Sequence, residues 1–315
     1  MSETTAFRVP DELHGERIDR VVAVAAGLSR AQAKQMVESG QVTVDDRRVA
    51  ASHRVNAGDG IQVVMPAPAA DLAAADIEFA VAWEDDHLLV VDKPAGLVVH
   101  PGAGHRDDTL ANGLISRYPE LVELGPEYRW GLVHRLDRDT SGLLMVAKRQ
   151  EAFVSLQQAL KARRVGRTYV AMAVGTFDAA TGTIDAPLGR DPVHPTRMAV
   201  RPDGRPARTH YRRVAHWPGV SLLEVRLETG RTHQIRVHLS SIDRPVSGDR
   251  AYGRPGPVAA DPGRTWLHAS RLSLPHPEDG REVVVSAPLP SDLVSTLDAL
   301  GPPEWGTVPE TVVGG

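Results

Sequence analysis

The chain carries Gly131-Leu-Val-His-Arg-Leu-Asp-Arg-Asp-Thr-Ser-Gly-Leu-Leu-Met-Val-Ala-Lys148, in which a dense cluster of charges runs directly into an apolar segment. The apolar half, Gly142 to Ala147, predicts a buried β-strand. Charged side chains are rarely buried unless they are paired, so charges at the mouth of a core strand need an explanation. A carboxylate beside a cation, in a loop at the edge of a rigid sheet, is typical of a catalytic site. On this stretch alone, an ordinary polar turn before a strand is the alternative.

The composition is that of a globular protein of about two domains. The chain has 315 residues, of which 42% are hydrophobic and 24% charged, and this length allows two separate cores. It contains no cysteine, which excludes disulfides, thiolate nucleophiles, iron–sulfur clusters and cysteine-based zinc sites. No apolar run approaches about eighteen residues, and the polar start of the chain lacks a signal-peptide pattern. We therefore expect a cytoplasmic protein without a membrane segment.

The net charge of −4 hides an uneven distribution of charges. Between Lys161 and Arg213 there are eleven Lys or Arg residues and four Asp or Glu residues, a local excess of +7. Acidic residues gather elsewhere, for example between Asp71 and Asp92. Because a basic face neutralises phosphates whatever the total charge, this segment is compatible with nucleic-acid binding.

Composition and periodicity divide the chain into five segments. We expect a flexible N-terminus over residues 1–15, a small module over 16–65, a Pro/Ala-rich linker over 66–76, a main domain over 77–300 and a flexible tail over 301–315. Strands are expected at 77–83, 87–93, 142–147, 168–174, 207–216, 220–228, 266–274 and 282–286, and helices at 109–117, 151–164 and 232–242. Interleaved strands and helices of this kind predict an α+β fold with a central mixed, largely antiparallel sheet.

The module over residues 16–65 begins with a predicted pair of helices. Ser29 is expected to cap the second helix, which runs from Arg30 to Ser39 and ends at Gly40. Arg30 and Lys34 lie one turn apart on the same face of that helix. A helical pair with ordinary solvated cations would explain these features equally well.

Several segments of the module together resemble the alpha-L RNA-binding module of the ribosomal protein S4 type. The matching segments are Arg17-Ile-Asp19, Ser29-Arg30, Gly40-Gln-Val-Thr-Val44 and Gly58-Asp-Gly-Ile61. In that module the second helix carries basic side chains to RNA phosphates, so the resemblance implies RNA contacts from Arg30 and Lys34. Asp45-Asp46 departs from the pattern, because the module usually has an Asn-Gly turn there.

A second charged motif is Glu228-Thr-Gly-Arg-Thr-His-Gln-Ile-Arg-Val-His-Leu239. Arg236 is flanked by apolar residues and should be partly buried, so it needs a carboxylate partner. Asp137 is the natural candidate, and the opposite charge would keep it ionised. His233 and His238 could suggest a metal site, but their spacing places them about 140° apart on a helix. We therefore expect no metal.

The third motif is Arg163-Arg-Val-Gly-Arg-Thr-Tyr-Val-Ala-Met-Ala-Val-Gly175. Strand alternation places Tyr169 on the same sheet face as Ala171 and Ala173. These small neighbours would leave room for a planar ring against the tyrosine. A tyrosine packed in the core is the alternative.

Together, these motifs resemble those of the RluA family of RNA pseudouridine synthases. The matching segments are His134–Gly142, Arg167–Ala171 and Gly230–His238, with Asp92–Pro101 as the family's opening motif. The subgroup that the chain most resembles is the RluD type, which acts on large-subunit ribosomal RNA and also carries the N-terminal module. The resemblance implies a pseudouridine synthase fold, with a catalytic cleft across the middle of the sheet. It implies isomerisation of uridine to pseudouridine without a metal or other cofactor.

The resemblance also assigns roles to individual residues. It makes Asp137 the catalytic aspartate, Arg236 its salt-bridge partner and Tyr169 the residue that stacks on the target base. Arg135 resembles the arginine that enters the RNA stack where the uridine leaves it. The further RNA contacts that we expect are His134, Arg231, Arg30 and Lys34. Arg167 stands where the family often has lysine.

The reaction breaks the glycosidic bond at N1, rotates the uracil and joins C5 to C1′, so nothing is added overall. Asp137 could attack C1′ or take a proton from the 2′-carbon, and the sequence leaves both routes open. The main rival function is a non-catalytic RNA-binding ribosome assembly factor. A hydrolase is a third option, because Asp137-Arg-Asp-Thr140 superficially resembles an aspartyl-phosphate loop, but its threonine is one residue too close to the first aspartate. The expected partner is large-subunit ribosomal RNA, which could be presented within a ribosomal precursor, and a monomer is the default.

Overall fold

The structure, a computed structural model, describes residues 4–26, 30–64, 72–102, 104–125, 129–194, 196–253 and 260–309. The chain divides into two compact units, Met1–Asp71 and Leu72–Gly315. This division falls within the segment predicted as a linker, whose first part, residues 66–71, lies outside the described residues. None of the described helices is long and apolar enough to cross a membrane.

The first unit packs two helices against a small antiparallel sheet. Its elements are β1 (Thr4–Arg8), a 3-10 turn (Asp11–Leu13), α1 (Ile18–Ala25), α2 (Arg30–Glu38), β2 (Val42–Val44), β3 (Arg47–Arg48) and β4 (Gly60–Val64). The strand order is β1-β4-β2-β3. Ile18, Val21 and Val22 form one stripe of α1 because residues three and four apart share a helix face. That stripe is buried against Ile61 and Val63 of β4. The Ser29 cap lies outside the described residues.

The prediction of a flexible N-terminus over residues 1–15 is wrong for its described part. β1 pairs antiparallel with β4, from Thr4 opposite Val64 to Arg8 opposite Gly60, and Val9 is buried in the core of this unit. The segment is ordered by pairing with a strand more than fifty residues away in sequence. The periodicity of a five-residue strand does not reveal such a pairing.

The Asp45-Asp46 turn keeps the hairpin geometry despite its unusual residues. Asp45 and Asp46 have φ angles of 45° and 61°, as a two-residue turn with both central residues left-handed requires. Aspartate tolerates this region better than most residues because its short side chain can bond locally. Here the Asp45 carboxylate accepts the backbone N–H of Gly60 at 2.9 Å. The departure from Asn-Gly therefore leaves the local fold intact.

The second unit is built on a large sheet flanked by helices. Its strands are β5 (Ala80–Glu84), β6 (Leu88–Lys93), β7 (Ser141–Ala147), β8 (Gly166–Val174), β9 (Thr181–Asp185), β10 (Leu188–Arg190), β11 (Met198–Val200), β12 (Arg208–Trp217), β13 (Val220–Leu227), β14 (Leu267–Pro275), β15 (Glu282–Ser286) and β16 (Trp305–Gly306). Its helices are α3 (Leu110–Arg117), a 3-10 turn (Pro119–Glu123), α4 (Gln150–Lys161), α5 (Gln234–Ser241) and α6 (Ser291–Leu300).

The large sheet confirms the predicted mixed, largely antiparallel arrangement. Its order is β16-β12-β13-β8-β14-β7-β6-β5, while β9 pairs with β12 and β15 with β14. β7 and β14 run parallel, whereas the other pairs in this sheet are antiparallel. β10 and β11 form a separate two-stranded hairpin.

β7 is the buried strand that the apolar segment Gly142 to Ala147 predicts. All seven of its residues are buried, which explains the unbroken apolar run, because such a strand is covered on both faces. Leu144 and Val146 join one hydrophobic cluster. Leu143 and Met145 join another, together with Phe153 of α4. The charged loop before β7 is therefore attached to a strand that is buried along its whole length.

Two boundaries of the second unit differ from the prediction. The helix expected over 232–242 begins at Gln234, because His233 has a left-handed φ of 56°, and it ends at Ser241. The prediction of a flexible tail over 301–315 is wrong at β16, where Trp305 and Gly306 pair with β12. Residues 310–315 lie outside the described residues.

Gly142 should be among the least replaceable residues of the core. It has a φ of 109°, and a Cβ there would lie 2.3 Å from the carbonyl oxygen of Ala269 on β14. We expect Gly142→Ala to lower the free energy of unfolding by about 3 kcal/mol or more, because strain and a backbone clash combine. Gly219→Ala is the control, since Gly219 has a φ of 81° but open space around it. Equal losses for the two variants in chemical denaturation would contradict this explanation.

Candidate active site

A buried lysine anchors the loop that carries Asp137. Lys93, at the end of β6, is fully buried and donates to the carbonyl oxygens of Pro94, Leu97 and Arg138 at 2.7, 2.8 and 3.0 Å. Three acceptors match the three N–H groups of an ammonium. Burial lowers the pKa of Lys93 to about 7, and the charge of Asp137 opposes this shift. Lys93 therefore fixes the loop next to Asp137 through three hydrogen bonds to backbone carbonyls.

A second cation fixes the other side of the same loop. Arg264 donates to the carbonyl oxygen of Asp139 at 3.0 Å and to the hydroxyl of Ser141 at 3.3 Å. It is itself held by Asp292 at 2.5 Å. The two residues that directly follow Asp137, Arg138 and Asp139, are thus both anchored through their backbone carbonyl oxygens.

Asp137 and Arg236 form the predicted ion pair. The Nη1 atom of Arg236 lies 3.0 Å from the Oδ2 atom of Asp137, and the two side chains are only 11% and 17% exposed. Arg236 lies in the first turn of α5, so the pair joins the loop before β7 to the helix after β13. The residues are 99 positions apart in sequence.

Asp249, the main partner of Arg236, is a site residue that the sequence did not predict. Its carboxylate accepts from Nε and Nη2 of Arg236 at 2.7 and 2.9 Å, and its side chain is fully buried. It also accepts the backbone N–H groups of Ala251 and Tyr252. Burial acts to raise the pKa of Asp249, but the hydrogen bonds and charge of Arg236 outweigh it and the pKa is lowered. The guanidinium of Arg236 thus makes a bidentate contact with Asp249 through Nε and Nη2, and its remaining nitrogen, Nη1, contacts Asp137.

Tyr169 lies in the middle of β8, opposite Val225 of β13. Its predicted neighbours on the strand, Ala171 and Ala173, are fully buried. Burial raises the pKa of Tyr169, so the side chain is a neutral phenol at neutral pH. It lines the same cleft as Asp137 and Arg236.

The cleft has a volume of about 520 Å³ and a strongly cationic wall. Its charged lining residues are the cations Arg135, Lys161, Arg163, Arg167, Arg205, Arg231 and Arg236 and the carboxylates Asp137 and Glu228. Clefts lined by one sign of charge concentrate ligands of the opposite sign. This arrangement suits a polyanion. In the described ranges, no group of three or more His, Cys, Asp or Glu side chains could hold a metal ion.

Of the residues expected to contact RNA in the cleft, two already form hydrogen bonds within the protein. His134 and Arg231 line the cleft with Arg135, and Arg135 is exposed. The Nε2 atom of His134 accepts the backbone N–H of Met145 at 2.9 Å, and burial lowers its pKa to about 3. His134 therefore ties the loop to β7 as a neutral ring. Arg231 donates to the carbonyl oxygen of Pro206.

Arg30 and Lys34, in the first unit, are both exposed side chains with an acidic neighbour. Arg30 lies 3.5 Å from Asp19, and Lys34 lies 3.6 Å from Glu38. The Lys34–Glu38 pair is long and exposed on both sides, and such pairs are weak. Asp19 is buried, but it is already paired with Arg17 at 2.8 Å and does not depend on Arg30. Both cations can therefore exchange these partners for a phosphate.

The ring of His233 lies close to Asp137, beyond hydrogen-bond distance. The backbone N–H of Met198 donates to the Tyr252 hydroxyl at 2.8 Å, and this hydroxyl can donate its own proton to His233 Nδ1 at 2.7 Å. Burial lowers the pKa of His233, which favours the neutral ring, and its proton then lies on Nε2. Nε2 is 3.9 Å from Oδ1 of Asp137. The opposite tautomer would aim a lone pair at the carboxylate.

Comparisons with known proteins identify the family of each unit. A sequence model described as RNA pseudouridylate synthase matches residues 87–241, and a model of the S4 domain matches residues 16–61. An RNA pseudouridine synthase of Chloroflexus aurantiacus, itself named as uncharacterized, is 50% identical over 95% of this chain and 94% of its own length. "Ribosomal large subunit pseudouridine synthase D" of Nitrosomonas europaea is 44% identical over 94% of this chain and 88% of its own length.

The fold comparison gives the same result. The structure of human RNA pseudouridylate synthase domain containing 1 matches with a TM-score of 0.59 and 29% identity, over 75% of this chain and 93% of that one. The fold and cleft are thus those of an isomerase that acts on RNA. This chain belongs to the RNA pseudouridine synthase family and carries an N-terminal S4 domain.

Asp249 should matter for stability as well as for activity. We expect Asp249→Asn to lower the free energy of unfolding by about 3 kcal/mol, because it leaves a buried guanidinium with one carboxylate. Since folding lowers the pKa of Asp249, its contribution is complete above pH of about 4 and is lost as the pH falls further. Asp292→Asn, which removes a half-exposed partner of Arg264, should cost less than about 1 kcal/mol. Equal costs in urea titrations would contradict the buried-pair account.

In Tyr252→Phe, the ring of His233 should no longer be restricted to a single neutral tautomer. The variant removes the proton donor to Nδ1, so ¹⁵N NMR of the histidine ring should show a mixture of the two neutral tautomers in place of Nε2–H alone. We expect a several-fold lower kcat with little change in thermal stability. Tyr211→Phe is the control, because Tyr211 packs against Phe177 and does not line the cleft. An unchanged His233 spectrum in Tyr252→Phe would show that Tyr252 does not set the tautomer.

Proposed function

We propose that this chain isomerises specific uridines of large-subunit ribosomal RNA to pseudouridine. The observation that carries the proposal is the meeting of Asp137, Arg236 and Tyr169 in one cationic cleft. Relatives named ribosomal large subunit pseudouridine synthase D, 44% and 42% identical to this chain, support the RNA class. A non-catalytic assembly factor would need the basic surface but not a clamped carboxylate beside a buried tyrosine.

The cleft would receive a uridine that has left its stack. Extruding a nucleotide costs a few kcal/mol, and stacking of a base on an aromatic ring returns about 1–3 kcal/mol. Tyr169 is the residue that would stack on the uracil. Arg135, exposed at the cleft, would fill the gap that the base leaves, because a guanidinium stacks on neighbouring bases.

Asp137 would act on the sugar. Its Oδ2 atom is held by Arg236, which leaves Oδ1 for the reaction. Oδ1 could attack C1′, or remove the 2′ proton to give a glycal. In either route the glycosidic bond at N1 breaks, C5 joins C1′, and the C5 proton is finally replaced by one on N1. The isomerisation transfers no electrons and adds no group, so the proposal includes no cofactor.

Arg30 and Lys34 would bind RNA phosphates outside the cleft, as expected for an S4 domain. We further propose that the enzyme acts as a monomer in the cytoplasm and that its RNA is presented within a ribosomal precursor. Arg231 would contribute a backbone contact within the cleft. His134 would support the loop, and its contact with RNA would be limited to the edge of the ring that the protein leaves free.

Asp137→Asn should retain the fold and RNA binding but lose at least about 1000-fold in the rate of pseudouridine formation. The measurement is pseudouridine mapping of ribosomal RNA after incubation with the purified variant and no added cofactor. Asp139→Asn is the control, because it makes the same change in charge two residues away on a side chain that pairs with Arg138. Substantial residual turnover in Asp137→Asn would remove Asp137 from the mechanism.

The substrate class needs its own test. Pseudouridine maps of total RNA from cells with and without the gene should differ at uridines of the large-subunit ribosomal RNA. A difference confined to transfer RNA would overturn the proposed substrate while leaving the chemistry intact. Maps without any difference would contradict the proposed function.

A further inference from the structure

Arg167 is a buried cation of the cleft that has no partner among the residues the structure describes. It lies on β8, lines the cleft and is only 8% exposed. Its Nε atom is sealed from solvent and has no hydrogen-bond partner. Within the described part of the chain, its guanidinium has neither a hydrogen bond nor an ion pair. A buried charge without a partner costs several kcal/mol, so such an arrangement needs an explanation.

Neither carboxylate of the cleft forms an ion pair with Arg167, and each is paired with another cation. Asp137 is held by Arg236 at 3.0 Å. Glu228 is held by Arg163 at 2.6 Å and by His210 at 2.7 Å. The charge of Arg167 is therefore left for something that enters the cleft.

The surroundings of Arg167 are shaped around its guanidinium. A Cβ at Gly230 would lie 2.5 Å from Nη1 of Arg167, so a side chain there would push the guanidinium aside. Arg167 and Tyr169 are two residues apart on one strand face, which places their Cα atoms about 7 Å apart. A group bound at Arg167 would thus lie within one nucleotide of a base on Tyr169.

We propose that Arg167 forms a phosphate subsite, which takes a phosphodiester group of the RNA next to the nucleotide whose base lies on Tyr169. The inference rests on the proposed function, because it assumes that the ligand is RNA. An oxyanion supplies the negative charge that the site lacks, and two phosphate oxygens match the planar fork of a guanidinium. A uracil carbonyl could accept a hydrogen bond but would leave the charge uncompensated.

The melting temperature of the free enzyme distinguishes a phosphate subsite at Arg167 from a structural role of Arg167. Arg167→Met removes an uncompensated buried charge, so it should raise the melting temperature of the free enzyme. If Arg167 instead stabilised the fold, the same substitution would lower the melting temperature. Arg167→Lys keeps the charge without the fork and should bind RNA with intermediate affinity.

RNA binding measured against salt concentration tests the phosphate contact directly. With a ribosomal RNA fragment as probe, the slope of log K against log salt should decrease by about 0.7 in Arg167→Met, the value for one lost phosphate contact to a single strand. Arg212→Met is the control, since Arg212 is 54% exposed, paired with Glu224 and outside the cleft lining. Its slope should not change. An unchanged slope in Arg167→Met, or an equal decrease in the control, would overturn the subsite.

A neutral backbone identifies the phosphate as the ligand. Replacing the phosphates of a short oligouridylate by methylphosphonates should weaken its binding to the wild-type enzyme by a larger factor than to Arg167→Met. Equal factors would overturn the proposal. These binding measurements need no turnover, so their result is separate from that of pseudouridine mapping. If the enzyme modifies RNA but Arg167→Met binds normally, the subsite fails and the function stands, whereas a reduced slope without any modification of RNA would support the subsite and overturn the function.

Discussion

The structure of the site depends on one buried guanidinium shared by two carboxylates. Arg236 is held on one edge by Asp249, through two hydrogen bonds, and offers its remaining nitrogen to Asp137. Burial acts to lower the pKa of Arg236, but the two carboxylates outweigh it and raise the pKa. The cation therefore stays charged. The two hydrogen bonds to Asp249 fix the position of Arg236. The single hydrogen bond from Arg236 then positions Asp137, the proposed catalytic carboxylate.

The same principle explains why the charged loop lies at the end of a fully buried strand. β7 is covered on both faces, so it moves little and gives the loop a rigid base. Lys93 and Arg264 then bind backbone carbonyls of the loop rather than the side chain of Asp137. Asp137 keeps one oxygen free, with the Nε2–H of His233 nearby. Because the side chains of Asp137 and Arg236 are only 17% and 11% exposed, the interaction between them is stronger than it would be in water.

Much of this could be predicted from sequence, because the signals are local. The apolar run of β7, the strand alternation around Tyr169 and the need of Arg236 for a carboxylate all follow from neighbouring residues. Asp249 could not be found in this way. The sequence indicates only that one carboxylate does not satisfy all the donors of the buried Arg236 guanidinium. It does not indicate where in the chain a second carboxylate partner lies. β1, β16 and the hairpin of β10 and β11 are short strands ordered by distant pairing or packing. Short strands carry too few residues for periodicity to show.

The central claim is that Asp137, positioned by Arg236, meets a uridine swung out against Tyr169. A crystal structure of the Asp137→Asn enzyme bound to a uridine-containing RNA would test it most directly. The account predicts the uracil stacked on Tyr169, with C1′ or the 2′-carbon about 3–3.5 Å from an atom of the residue 137 side chain, the separation of a reactive arrangement. A bound uridine that remains in its RNA stack, or that lies beyond reach of residue 137, would contradict it.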